Sequence, residues 1–334
     1  MILAGDIGGT NTRLAYFTEE DGVVVWKLHA KYASKGHSSL EAIVSDFISK
    51  YKVPIDHAAF GIAGVVIDGI VHATNLPWVV SSESLSKLLH PAQVHLLNDL
   101  EANTWGLFTL REKDYFRLND IDENSQGNIA LISAGTGLGE AGAIWINGSP
   151  QAIASEGGHA DFAPRDDTQD SLLVYLRKQY GHVSWERVLS GNGLYNIYSF
   201  LRDTKYGDEP DWLTKELSEQ DRGAVITQNA LSNKSIACSE ALEIFCEIYG
   251  SEAGNLALKL TAKGGVFLGG GIAPKIASRL KTSKFLQEFT DKGRLKSYLE
   301  RIPVKVVLND NAALLGACKY AANSAGLNKE IRIP

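Results

Sequence analysis

Over the first fifty residues apolar and polar positions run in short blocks broken by glycine, and then the period changes. Ile2 to Asp6 is an apolar run closing on an acid, Gly8-Gly9-Thr10 follows as a turn, and Arg13 to Phe17 resumes as a second strand. Glu19 to Gly22 reads as a turn and Val23 to Leu28 as a third strand. From Leu40 the apolar residues (Ile43, Val44, Phe47, Ile48, Tyr51) fall three and four apart, one face of an amphipathic helix. Ser38 with Glu41 is expected to cap that helix as a capping box. The predicted order is strand, strand, strand, helix, with a glycine corner after the first strand.

The corner recurs. Ile129 to Ser133 is apolar, Gly135 to Gly139 turns, and Glu140 to Ile146 returns as a strand before the turn at Asn147-Gly148. A shift of 127 positions carries Gly8 onto Gly135 and Thr12 onto Gly139. Two related α/β halves are therefore expected, with both glycine corners at the mouth of one cleft. Further on, Ala241, Leu242, Phe245, Ile248, Tyr249, Leu256 and Leu260 mark a long helix, expected to end at Lys263-Gly264-Gly265. Val266 to Leu268 and Val304 to Leu308 read as strands, the first followed by Gly269-Gly270-Gly271 and the second by Asn309-Asp310-Asn311 and a helix from Ala312. Hinges are expected at Arg111 to Gly127 and near Arg301. Lys205 to Asp208, Pro210 and Ser218 to Arg222 suggest an exposed insertion. The division expected is a small α/β domain of residues 1–109 plus 301–334 and a large α/β domain of residues 110–300.

Composition narrows the function. The chain has 334 residues, 44% hydrophobic and 22% charged, with a formal charge of −6. A mildly acidic chain without a basic run is a poor partner for nucleic acid. No apolar run is long enough to span a membrane, and the start lacks the basic-then-apolar order of a signal peptide, so a cytoplasmic location is expected. The end, Arg332-Ile333-Pro334, is not a peroxisomal signal. Three scattered cysteines, Cys238, Cys246 and Cys318, make neither a disulfide scaffold nor a cysteine-rich zinc site. Glycine, at 32 residues, is the excess.

Those glycines suggest phosphate binding. In Gly5-Asp6-Ile7-Gly8-Gly9-Thr10-Asn11-Thr12 the backbone can approach an anion closely and present N–H groups to it. Asp6 beside a phosphate needs an intervening cation, most economically Mg²⁺ held directly or through water. A second loop with Thr136 and Gly137 would grip the same phosphates, and Gly269, Gly270 and Gly271 would pack on a nucleobase. Together they indicate ATP. Walker, dinucleotide-binding and protein-kinase motifs are absent. For an acceptor site, the strand Val94 to Leu97 ends in Asn98-Asp99, and a carboxylate at a strand end is placed to take a proton from an alcohol, although Asp99 is also a candidate helix cap. Glu156 and His159 suit a polyol, with Gly157-Gly158 making room for a ring. Glu186 reads equally as a surface residue.

Taken together, these residues resemble the bacterial-type glucokinases of the hexokinase/actin/heat-shock-chaperone ATPase superfamily. The resemblance runs from Gly5 to the helix Asn309–Ala317 through five motifs in order: Gly5–Arg13, Leu97–Ala102, Ser133–Gly139, Leu268–Lys275 and Asn309–Ala317. Ser155–His159 and Glu186–Gly191 point to the glucokinases within it. The resemblance implies a duplicated RNase H-like two-domain fold with a central cleft, phosphorylation of the 6-hydroxyl of glucose, and a homodimer. It implies that Asn98, Asp99, Glu156, His159 and Glu186 hold the sugar, with Asp99 as base. The neighbouring repressor-kinase sugar family carries a Cys/His zinc motif that these cysteines cannot supply. Two domains also suggest closure on the sugar, excluding water. The alternatives are a kinase for mannose, fructose or an N-acetylhexosamine, a sugar-responsive regulator, for which the start at Gly5 leaves no helix-turn-helix, and a non-sugar ATPase module.

Overall fold

The computed structural model describes residues 1–122, 127–327 and 330–332, and these divide into two compact units, Met1–Glu112 with Asn309–Pro334, and Lys113–Leu308. The expected return at residue 301 comes too early. Val304–Val307 pairs in parallel with Gly265–Gly269 and belongs to the second unit's sheet. The hinge expected at 111–127 lies partly outside the described residues, as do Ile333 and Pro334.

In the first unit a six-stranded sheet has the order Ile331–Arg332, Val23–Ala33, Asn11–Glu20, Ile2–Ile7, His57–Ile62, Gln93–Asn98. The first three strands in the chain form an antiparallel meander, and the last two named run parallel to Ile2–Ile7. The second unit repeats this layout with Ser149–Ser155, Leu138–Ile146, Ile129–Ala134, Gly265–Gly269 and Val304–Val307, and adds Tyr115–Arg117 at the edge. A meander followed by two parallel strands, made twice, is the duplicated actin/hexokinase-type arrangement. Both meanders turn at the glycine corners. A small sheet of Val66–Ile67, Ile70–His72 and Val79–Ser81 was not legible in the pattern.

Each face of the first sheet has its own core. Leu40, Ile43, Val44 and Phe47 of the helix Leu40–Tyr51 pack with Leu3, Leu14 and Phe60 on one face. Leu314, Leu315, Ala317 and Ala321 of the helix Ala312–Ser324 pack with Ile2, Ala4, Phe17 and Ala59 on the other. The cap of the earlier helix is Ser39, not Ser38: its Oγ accepts the Ala42 N–H at 3.3 Å. Position 42 is alanine, so no carboxylate reaches back to complete a box.

The second unit is built around Ile236–Leu260, a helix buried on most sides (Phe245, Cys246, Ile248, Tyr249, Ala253), as expected for apolar residues around the whole circumference. It stops at Thr261, whose φ of 48° is left-handed, before the glycines expected to end it. Lys205–Asp208, Pro210 and Ser218–Arg222, expected to be exposed, are exposed, and they border the helices Asp211–Glu219, which buries Leu213 and Leu217, and Arg222–Leu231. The three cysteines are free and buried. No helix among the described residues is long and apolar enough to cross a membrane.

Candidate active site

In the first unit, the corner between Ile2–Ile7 and Asn11–Glu20 closes on the bond from Gly8 N–H to Asn11 O, 3.0 Å. Ser34, which the sequence did not single out, pins it from outside. Its Oγ donates to Gly8 O at 2.7 Å and lies 3.0 Å from the Thr12 hydroxyl, while its N–H donates to Thr10 O at 2.9 Å. The Gly9 and Thr10 amides take no part in these bonds, and Thr10 is exposed.

Asp6 stands opposite Arg13 across this hairpin, with Arg13 Nε 3.9 Å from its Oδ2. Arg13 also reaches the start of the last helix, donating to Asp310 O at 2.8 Å and Asp310 Oδ2 at 3.1 Å. Burial pushes the Asp6 carboxyl up to about 6; Arg13 opposes this, while the charges of Asp99 and Asp310 add to it. Three carboxylates therefore act against one guanidinium, a surplus of negative charge that a cation would relieve. Among the described residues no group of three or more His, Cys, Asp or Glu side chains is arranged to hold a metal by itself. Mg²⁺ does not need one, because it keeps waters and takes phosphate oxygens alongside one or two carboxylates. The residues present fit that mode.

Asn98 ends the strand Gln93–Asn98 and caps the helix Asp99–Leu107. Its Oδ1 accepts the N–H groups of Leu100 and Glu101 at 2.9 and 3.3 Å, and its Nδ2 donates to Gly64 O at 3.0 Å. The capping duty considered for Asp99 thus falls to its neighbour. Asp99 is the first helical residue, half-buried, with Oδ1 accepting the Leu100 N–H at 2.9 Å.

In the second unit, the other glycine corner is tighter, with Gly135 N–H donating to Gly137 O at 2.8 Å. Two elements meet it. Gly191, starting the helix Gly191–Leu201, donates to Gly135 O at 2.9 Å, and Ile272 donates to Ala134 O at 3.2 Å. Between the two lies the turn at Gly270, where φ is +81° and a Cβ would run into Ala134 O, so both conformation and space require glycine. These segments wall a cavity of about 490 Å³ lined by Gly135, Thr136 and Gly271 from the expected motifs. It is lined as well by Lys275, the last residue of the motif Leu268–Lys275, and by Asn192, Asp221, Arg222 and Thr227, which the sequence did not mark as ligand-facing. The signal was available: Asp221 followed by Arg222-Gly223 is a helix start, and Asp221 does cap, accepting Ala224 N–H at 2.8 Å. Gly269 is buried in the sheet and does not line this cavity, whereas Gly270 and Gly271 are exposed.

Glu156 and His159 are exposed; the first precedes and the second ends the single turn Gly157–His159. That segment is tied to the one bearing Glu186: Trp185 N–H donates to Ala160 O at 3.0 Å, Phe162 N–H to Val183 O at 3.0 Å, and the Phe162 and Trp185 rings meet edge-on at 5.3 Å. Glu186 is not a simple surface residue. Its Oε2 accepts the Leu138 N–H at 3.0 Å, bracing the second glycine corner, and a Cβ on Gly137 would run into the same oxygen. Of the predicted residues, then, Gly5 to Asn11, Asn98 and Asp99 gather in the first unit. Thr136, Gly137, Glu156, His159, Glu186 and Gly269 to Gly271 gather in the second.

The glucokinase family model matches residues 3–324. The chain is 40% identical to a glucokinase of Nostoc punctiforme, over 96% of this chain and 99% of the relative. It is also 40% identical to a glucokinase of Synechocystis, over 96% and 98%. The crystal structure of a glucokinase from an Antarctic psychrotroph superposes with a TM-score of 0.85 at 32% identity, covering 96% of this chain and 98% of that one. Agreement over almost the whole length, through both glycine corners and both carboxylate-bearing segments, shows that the chain belongs to the glucokinase family.

Proposed function

We propose that this chain transfers the γ-phosphoryl group of ATP to the 6-hydroxyl of glucose, with Asp99 as the general base. The observation that carries the reading is the family match over residues 3–324, which takes in every segment of the candidate site. Phosphoryl transfer asks little covalent chemistry of a protein; it asks for alignment of the acceptor and stabilisation of charge. In this reading Asn98, Glu156, His159 and Glu186 hold the sugar hydroxyls. Asp99 accepts the proton of the attacking hydroxyl as the new O–P bond forms and ADP leaves. Support for that role comes from Asn98, which takes over the capping and fixes the strand end from which the Asp99 carboxylate projects.

The cavity beside Gly271 takes the adenosine, and the corners at Gly5–Asn11 and Gly135–Gly137 present backbone N–H groups and the Thr10 and Thr136 hydroxyls to the phosphates. Mg²⁺, when bound, would supply positive charge to offset that of the phosphates, and Asp6 is the residue that would hold it, directly or through water. The reading extends to a cytoplasmic homodimer, and light scattering of the purified protein checks the dimer.

A coupled assay of ADP release tests the function. Release is expected to depend on glucose and to remain slow without it, because water is a poor substitute for the positioned hydroxyl. ADP release that ignores glucose, or a larger kcat/KM for mannose, fructose or N-acetylglucosamine, would overturn the assignment.

A further inference from the structure

Beneath the turn that carries Glu156 and His159, the second unit buries two carboxyl groups against each other. Glu140, third residue of the strand Leu138–Ile146, is 1% exposed, and Glu252, inside the long helix, is fully buried. Their side chains hydrogen-bond to one another. Glu252 also accepts from Asn255 Nδ2 at 2.7 Å and from Lys259 Nζ at 3.0 Å. Glu140 Oε1 has no hydrogen-bond donor among the described residues. Two carboxylate oxygens in contact have no hydrogen between them unless one carries a proton. Burial and the Glu252 charge accordingly push Glu140 up to about 8, with Lys259 opposing, so the pair holds one proton at neutral pH.

The pair touches the turn directly. A Cβ on Gly157 would run into Glu140 Oε2, and one on Gly158 into Leu138 O, so both glycines sit flush on the first residues of that strand. Glu140 pairs in register with Ser155, whose Oγ accepts the Gly157 N–H at 2.9 Å. We propose that Glu140 is a positioning residue for the sugar: sharing one proton with Glu252, it forms the compact floor that seats Gly157 and holds Glu156 and His159 for glucose, and loss of that proton unseats the turn. The inference rests on reading Ser155–His159 as the sugar-binding turn. A doubly ionised pair has no room to separate and no water to screen it, so relief has to come from the neighbouring backbone, and Gly157 is the lightest part of it.

Other titratable groups face the pair. Tyr249, fully buried on the same helix, is held above its ordinary range by burial. Lys292, whose Nζ donates to Ser251 Oγ at 3.1 Å, is pushed down to about 8 by burial and by Arg165, with Glu252, Glu288 and Asp291 opposing. Because Lys292 titrates over the same range, the test includes it.

Glucose is titrated against the nucleotide-free protein by tryptophan fluorescence from pH 7 to 9.5; above pH 8 ordinary imidazoles and carboxylates have finished titrating. Wild-type Kd is expected to rise above pH 8 toward the one-proton limit of about tenfold per pH unit. In Glu140→Gln, whose amide still donates to Glu252 but has no proton to lose, Kd is expected to stay within about twofold across the range. Lys292→Met is expected to keep the wild-type rise. A Glu140→Gln protein with the wild-type pH profile, or a Lys292→Met protein without the rise, overturns the inference. Should Glu140→Gln not fold, Glu252→Gln decides: with a neutral amide beside Glu140 the pair cannot become doubly ionised, so the rise is expected to disappear, and an unchanged rise overturns the inference. Wild-type protein that fails to bind glucose even at pH 7 overturns the glucokinase reading, and this inference with it.

Discussion

Asn98 and Asp99 divide between them two tasks that either residue type could perform. A side chain accepting two orphan N–H groups of a helix is committed to structure, and here that side chain is the neutral amide. Asp99→Asn is therefore expected to leave the helix and the binding of glucose and ATP intact while lowering kcat by ~10²–10⁴-fold, as removal of a positioned base does. Near-normal turnover would refute the role. Asn98→Ala should behave differently, losing about 1–2 kcal/mol of stability in urea unfolding and raising the KM for glucose. Asp6 makes a prediction of opposite sign. Its carboxyl is raised to about 6, so its contribution to stability is present below the ordinary value of 3.8 and is lost as pH rises through 6. In metal- and nucleotide-free protein, Asp6→Asn is expected to gain about 1–2 kcal/mol at pH 8, about half as much at pH 5, very little below pH 3, and to lose activity. Equal urea midpoints for the two proteins at pH 8 would remove the electrostatic account.

Among the elements, helices Asp99–Leu107 and Ala312–Ser324 meet more closely than side chains permit. A Cβ on Gly106 would run into Ala312 O, and one on Gly316 into Ala102 O. Gly316→Ala is expected to force the helices apart and lower the melting temperature by several degrees, measured by calorimetry, because the obstacle is backbone and cannot rotate away. The strands, the two glycine corners and the strand end at Asn98 were legible because short apolar runs broken by glycine are what strands and their tight turns produce. Helix ends were less so. Ser38 and Ser39 offer the same hydroxyl, and only the backbone chooses between them; Thr261 takes a left-handed conformation that the glycines after it are better suited to supply. The cavity walls at Asp221, Arg222 and Thr227 resemble an exposed insertion in sequence, because polar residues facing a ligand and polar residues facing water follow the same pattern. Glu140 escaped for the converse reason. A single acid in a strand carries no mark that its partner lies on a helix more than a hundred residues later.

For the molecule as a whole, the second unit is one uninterrupted segment, Lys113–Leu308, inserted into a first unit made of two pieces. It has a core of its own, built from Phe245, Tyr249, Leu268 and Leu280 among others. Residues 113–308 expressed alone are expected to fold and to bind ATP, but to be inactive, since Asp99 is missing. Isothermal titration with ATP checks this, and an unfolded fragment would show that the second unit depends on the first. The same layout governs how the protein emerges from the ribosome. Ile2, Ala4, Phe17 and Ala59 are made early, yet the helix that covers them, Ala312–Ser324, is made only after the whole inserted segment. Throughout synthesis of the inserted segment, that face of the first sheet is an uncovered oily surface on a nascent chain, available to chaperones or to neighbouring chains. A premature stop before residue 312 would thus release a polypeptide with one finished half and one sticky half.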